Sequence, residues 1–178
     1  MLQIIIIVIL VLADQLTKLL IWAPIPKDST IEVLPGILNF SKVENTGASF
    51  GIFQGMQVFF IIMTVVVLIA AGYIMFRYRK KHTRFIKVLI AVLFAGALGN
   101  LIDRIAFGYV RDFIDFRLFD FWKWVFNIAD AALVIGAILL AVYILFFYKD
   151  KKKPIDDADV NDEDMPSKDD NGKDGTVE

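Results

Sequence analysis

Asp14, Lys18, Asn100, Asp103, Arg104, Asn127 and Asp130 stand inside or at the ends of long apolar runs, and Asp112 lies between two of those runs. An ionisable side chain at mid-bilayer costs at least about 2.5–3.5 kcal/mol, so such groups face protein or lie near an interface. The chemistry open to them is narrow. Cysteine is absent, which removes disulfides, thiolate nucleophiles and cysteine metal sites. A helical metalloprotease motif needs histidine ligands, and the one histidine, His82, sits in a basic stretch far from the acids. A Ser-His-Asp triad fails for the same reason. A serine–lysine pair drawn from Ser41, Ser49 and Lys18 is conceivable, but no spacing favours it. Carboxylates remain. Two aspartates in one site do not both ionise easily, so one keeps a proton while the other acts as base. Such a pair can activate water against an amide and protonate the leaving nitrogen. Asp112 and Asp130 are the natural pair, because Asp103 is followed by Arg104 and Asp14 by Lys18 four residues on. Two other readings use the same residues: a proton relay or small transporter, and polar groups that only bond helices together. The relay is disfavoured by Val88–Phe94 and Leu133–Phe147, which offer no charged step.

Spacing shows which elements must carry these groups. Asp14 and Lys18 are four apart with the acid first, the better order for a helical ion pair. Asn100, Asp103 and Arg104 fall at i, i+3 and i+4, and Asn127 and Asp130 at i, i+3, so each set is expected on one helix face. The helices are apolar segments at Ile4–Trp22, Met56–Phe76, Phe85–Ile105 and Trp124–Tyr148. Each has the roughly 20 residues that cross a hydrocarbon core about 30 Å thick. Hydrophobic residues make up 57% of the 178, and Ile61–Ala71 and Ala131–Phe147 have no polar face, which excludes a soluble bundle. The first segment lacks a basic flank before Lys18 and a small-x-small site after its apolar run, so it reads as a retained helix rather than a cleaved signal.

Loop lysines and arginines orient the spans. Arg77–Lys87 carries six basic residues and no acidic ones and is expected in the cytoplasm, with Lys149, Lys151, Lys152 and Lys153 on the same side. Both termini are then cytoplasmic and the polar layer lies near the outer face. In the first outer connection, Ser29–Glu44 reads as two β-rich runs around a Pro35-Gly36 type II turn, hence a small antiparallel hairpin. The second, Ala106–Trp124, mixes charges with aromatic residues as an interfacial segment does. The expected fold is therefore an all-α membrane protein with four transmembrane helices, a small extracytoplasmic antiparallel β-element and an interfacial second outer loop. The membrane domain covers 1–150, with the hairpin region at 27–50, the outer loop at 106–123 and the cytoplasmic loop at 77–87. Residues 151–178 form an acidic tail too polar to bury much surface and are expected to be disordered. Lys149–Glu178 holds 6 basic and 11 acidic residues, against 13 and 9 in the body.

Five motifs in order, Asp14-Gln15-Leu16-Thr17-Lys18, Asn45-Thr46-Gly47-Ala48-Ser49-Phe50-Gly51, Gly99-Asn100-Leu101-Ile102-Asp103-Arg104, Val110-Arg111-Asp112-Phe113 and Phe126-Asn127-Ile128-Ala129-Asp130-Ala131, resemble those of the lipoprotein signal peptidase (signal peptidase II) family. Ser49 stands where alanine is more usual, and the tail lies outside the pattern. The resemblance implies a bacterial cytoplasmic-membrane aspartyl endopeptidase that cuts diacylglyceryl-modified prolipoproteins before the lipidated cysteine. It implies Asp112 and Asp130 as the catalytic dyad. Asn45, Asn100, Arg104 and Asn127 would orient the dyad or the substrate backbone, and Asp14, Lys18 and Asp103 would support the site. Gly47 and Gly99 would be positions where a side chain obstructs close approach. It further implies no cofactor or metal, no nucleic-acid partner, contact with membrane lipid, binding of globomycin-type inhibitors, and a monomer.

Overall fold

The computed structural model describes residues 1–27, 29–47, 53–78, 80, 82–117 and 124–147. Ser49, the aromatic run at 119–122 and the acidic tail expected to be disordered lie outside the described residues. Helix α1 (Leu2–Thr17) runs on as a π-helical turn at Lys18–Trp22, closed by Ala23 N–H donating to the Lys18 carbonyl at 3.1 Å. Strands β1 (Thr30–Leu34) and β2 (Leu38–Asn45) follow, then α2 (Gln57–Arg77), α3 (Arg84–Phe107), β3 (Val110–Phe116), β4 (Trp124–Phe126) and α4 (Ile128–Phe147). Four helical stretches among the described residues are long and apolar enough to span a membrane.

Helix α3 is the axis of the bundle. It packs on α1, α2 and α4, and ten of its residues are buried, whereas α2 has none. Small residues permit this. A Cβ on Gly96 would lie 2.6 Å from the Ala129 carbonyl oxygen, and one on Gly136 would lie 3.0 Å from Leu93. Lipid tails are as apolar as leucine, so close backbone approach rather than a hydrophobic drive holds such helices together.

The sheet is antiparallel in the order β1-β2-β3-β4. The expected hairpin is present: Gly36 has φ of 69° and Ile37 N–H donates to the Leu34 carbonyl at 3.0 Å, closing the Pro35-Gly36 turn. The second connection adds more than the sequence suggests. Its Val110–Phe116 forms a strand whose Arg111, Asp112, Phe113 and Asp115 are all buried by protein. Trp124–Phe126, expected as the start of the last helix, forms β4 instead. The helix begins after Asn127, which caps it: Asn127 Oδ1 accepts from Asp130 N–H at 2.9 Å, and Asp130 Oδ2 accepts from Asn127 N–H at 3.3 Å. This reciprocal pairing satisfies two backbone donors that a helix start leaves without partners.

A bulge in β2 sets the phase of the sheet. Phe40 pairs with Ile114 but Val43 with Asp112, so β2 uses three steps where β3 uses two. The bulge turns Val43 and Asn45 onto the face of Asp112; the same sequence paired without a bulge would put Lys42 and Glu44 there.

Candidate active site

The polar side chains meet where α1, α3, α4 and the sheet converge. Their deepest layer is a buried charge network. Lys18, with no exposed surface, donates from Nζ to Asp14 Oδ2 at 2.8 Å and to Asn100 Oδ1 at 3.3 Å, and pairs with Asp103 Oδ2 at 3.1 Å. Asp14 Oδ1 accepts the Ala129 amide at 3.0 Å, so α1 helps to cap the first turn of α4. Asp103 is also gripped by Arg111, through its backbone N–H at 2.9 Å and its Nη2 at 2.7 Å. The expectation that Arg104 neutralises Asp103 is corrected here. Successive helical residues do not face each other, so Asp103 turns to Lys18 and Arg111 while Arg104 turns the other way. Gly99 makes this layer possible: a Cβ there would sit 2.7 Å from Asp14 Oδ2. Gly99→Ala is therefore expected to displace the Asp14 carboxylate and cost about 1–3 kcal/mol, read as a lower thermal unfolding midpoint in detergent.

Above that network lie the two aspartates, joined through Asn127. Its Nδ2 donates to Asp112 Oδ1 at 2.6 Å and to Asn100 Oδ1 at 3.1 Å, while its backbone N–H donates to Asp130 Oδ2. The other oxygens are held as well. Asn45 Nδ2 donates to Asp112 Oδ2 at 2.9 Å, and Asn100 Nδ2 to Asp130 Oδ1 at 2.7 Å. Asn45 is fixed in turn by the Gly47 amide, which donates to its Oδ1 at 3.0 Å. Burial pushes the Asp112 carboxyl up to about 8, and the charge of Asp130 adds to the rise, against the hydrogen bonds from Asn45 and Asn127.

These groups wall one end of a cavity of about 700 Å³ that reaches Asn45, Gly47, Asn100, Arg104, Asp112 and Asp130. An arm of it is mostly apolar: Phe60, Met63 and Val67 line it from α2 with Thr64 among them, Ala97 from α3 and Leu133 from α4. From Phe60 to Val67 that arm runs about 10 Å along the helix axis. Arg104 reaches into the polar end. Its guanidinium lies 5.1 Å from the Phe60 ring centre and Nη2 is 3.4 Å from the Gly47 carbonyl oxygen, while Nε has no protein partner.

Every sequence-derived candidate thus falls in one of two layers. Asn45, Gly47, Asn100, Arg104, Asp112 and Asp130 line the cavity, and Asn127 ties the pair together. Asp14, Lys18, Asp103 and Gly99 lie behind. Two participants escaped sequence reasoning. Arg111 was read as interfacial, and Gln15, which donates to Gly99 O and Asp103 and accepts from Arg111 Nη2 at 2.7 Å, was noted only within its motif. Strand alternation was the available signal for Arg111, since it must face away from Asp112. Gln15 offered only its neighbour Asp14, to which Nε2 also donates at 3.1 Å, while its other partners are far off in sequence.

Four helices of membrane-spanning length, three of them lining a cavity with carboxylates and amides at its polar end, define a multi-pass membrane protein equipped for hydrolytic chemistry. Comparison with known proteins agrees. The family model described as Signal peptidase (SPase) II matches residues 6–146. Lipoprotein signal peptidases of Staphylococcus aureus strains JH9 and Newman are 42% identical over 151 residues, covering 85% of this chain and 92% of each relative. A bacterial membrane enzyme structure determined by the in meso method at 2.3 Å resolution superposes with a TM-score of 0.76 at 41% identity, covering 85% of this chain and 92% of that one. A second, at 1.9 Å resolution, gives 0.71 at 41% identity, covering 82% and 94%. The chain belongs to the signal peptidase II family and is a membrane peptidase.

Proposed function

We propose that this chain removes the signal peptide from diacylglyceryl-modified bacterial prolipoproteins, cutting on the N-terminal side of the lipidated cysteine with a water activated by Asp112 and Asp130. The observation that carries the reading is Asn127, which holds both carboxylates at once, by its side-chain amide and its backbone N–H. Such a pair shares one proton and titrates as a unit. The ionised member takes a proton from water, the resulting hydroxide adds to the scissile carbonyl carbon, and the protonated member gives its proton to the departing nitrogen. Asn45, Asn100 and Asn127 keep both carboxyls oriented. Arg104, poorly satisfied by protein, has donors left for a substrate carbonyl oxygen. The apolar arm between α2, α3 and α4 suits an apolar signal segment, and globomycin-type inhibitors would compete for the same space.

The basic stretch Arg77–Lys87 supports placing that end of the bundle in the cytoplasm, with both termini there and the dyad near the outer face. A lipidated cysteine presents its cut site at that depth. One chain supplies every group in the scheme, so a monomer suffices.

The test is incubation of purified protein with diacylglyceryl-modified prolipoprotein, followed by mass determination of the products. Release of a fragment beginning at the modified cysteine supports the proposal, and uncut substrate ends it. The reaction should also have an alkaline limb. An acid held up to about 8 keeps its proton at neutral pH and loses it above, so the leaving nitrogen loses its donor. The cleavage rate is expected to fall about tenfold per pH unit beyond that point. A rate still rising through pH 9.5 would contradict the shared proton.

A further inference from the structure

At the opposite end of α3 from the dyad lies a second cavity, of about 340 Å³, lined by Gln3, Met75, Lys80 and Lys87. It gathers the first turn of α1, the last turn of α2, the connection after it and the first turn of α3. These are helix ends, where the chain passes from hydrocarbon to headgroups. Their charge is one-sided. No acidic residue occurs between Glu44 and Asp103, and none precedes Asp14. Among the described residues the ion pairs involve Lys18, Arg111 and Arg117, and none includes Lys80 or Lys87. Arg84 and Lys87 also stand at the amino end of α3, which has no acid in its first turn. Cations there oppose the helix dipole, which favours negative charge. Among the described residues no carboxylate offsets the charge of Lys80 and Lys87.

We infer that this cavity binds the phosphate of an anionic phospholipid headgroup, of the phosphatidylglycerol type. Lys80 and Lys87 supply the charge, Gln3 a neutral donor, and Met75 an apolar wall beside the glycerol. The volume suits a headgroup and not a whole lipid, so the acyl chains stay in the bilayer. Basic pockets between helix ends bind anionic headgroups in this way. The bound lipid would bridge α1, α2 and α3. That matters most for α2, which walls the active-site cavity yet packs on α3 without burying a residue. The proposal does not depend on the reaction assigned to the other end.

The experiment uses the full chain in a zwitterionic detergent, titrated with short-chain phosphatidylglycerol or phosphatidylcholine, with thermal unfolding as readout. Phosphatidylglycerol is expected to raise the midpoint by about 5 °C, and phosphatidylcholine to leave it unchanged. Lys80→Gln with Lys87→Gln should abolish the rise. The charge-matched control, Arg77→Gln with Arg84→Gln, should retain it. Equal loss in both double variants would show diffuse attraction to a basic surface and overturn the site. An equal rise with inorganic phosphate would assign it to a free anion and overturn the lipid. No rise with intact protein, but one after removal of residues 151–178, would show the acidic tail as occupant and overturn it too.

Discussion

Asp112→Asn and Asp130→Asn are each expected to lower prolipoprotein cleavage by about a thousandfold or more, with the protein still folded. Both groups are asked for proton transfer, and an amide can neither take the proton from water nor supply one to nitrogen. Shape is nearly conserved. An asparagine at 112 can still accept from Asn127 through its amide oxygen, but its NH₂ would then face the Asn45 amide, donor against donor, where the carboxylate oxygen now accepts at 2.9 Å. The local cost is about 1–3 kcal/mol, small enough for a folded, purifiable variant. Matching far-ultraviolet dichroism and a cooperative unfolding transition would separate lost chemistry from lost fold. Either variant retaining a tenth of the wild-type rate would remove the dyad from the mechanism.

The second large effect concerns stability. Lys18 has no exposed surface and serves Asp14, Asp103 and Asn100 together. Lys18→Met keeps much of the volume and removes the charge, leaving two buried carboxylates to repel each other. Breaking a buried pair by deleting one partner costs about 3–5 kcal/mol, because the abandoned charge cannot be rehydrated. Asp103 keeps Arg111, so the injury falls mainly on Asp14. Adding Asp14→Asn to Lys18→Met should therefore recover at least half of the lost stability in denaturant or thermal unfolding. No recovery in the double variant would mean that Lys18 acts through packing and not through charge. Because Asp14 also holds the Ala129 amide, the single variant should loosen the start of α4 and slow cleavage.

The spans could be read from the chain because each holds about 20 mostly apolar residues, and Ile61–Ala71 and Ala131–Phe147 are apolar all round, a condition that only a membrane or a deep core satisfies. The hairpin turn was equally legible, since Pro35-Gly36 matches one backbone geometry. Strand β3 was not. Buried strands usually announce themselves by an apolar face, but here Asp112 occupies one face and Arg111 with Asp115 the other. Both faces are covered and both carry charge, so the pattern imitates an exposed loop. Ser41 Oγ donating to Asp115 Oδ2 at 2.8 Å shows how the face opposite Asp112 is satisfied. The layer of site residues was legible because charge is costly in an apolar segment. Which charges pair was not, since pairing depends on how α1, α3 and β3 approach, and Gln15 and Arg111 meet each other and Asp103 only across those elements. Asn127 and Asp130 did carry a local sign, an asparagine followed three residues later by an acid at a helix start.

The irregularity at Ser41 and Lys42 turns register into chemistry. Closing the bulge with the chain length unchanged would slide Glu44 opposite Val110, into the place of Asn45, so that an acid would replace the amide that now steadies Asp112. A third negative group would then crowd a centre able to keep only one proton, and turnover should collapse even though no catalytic atom had been removed. Loss of Lys42 alone is the single-residue change this ribbon should absorb, because Val43 then stays opposite Asp112 and Asn45 opposite Val110, whereas one residue gained between Val43 and Asn45 would carry Asn45 off the face of Asp112.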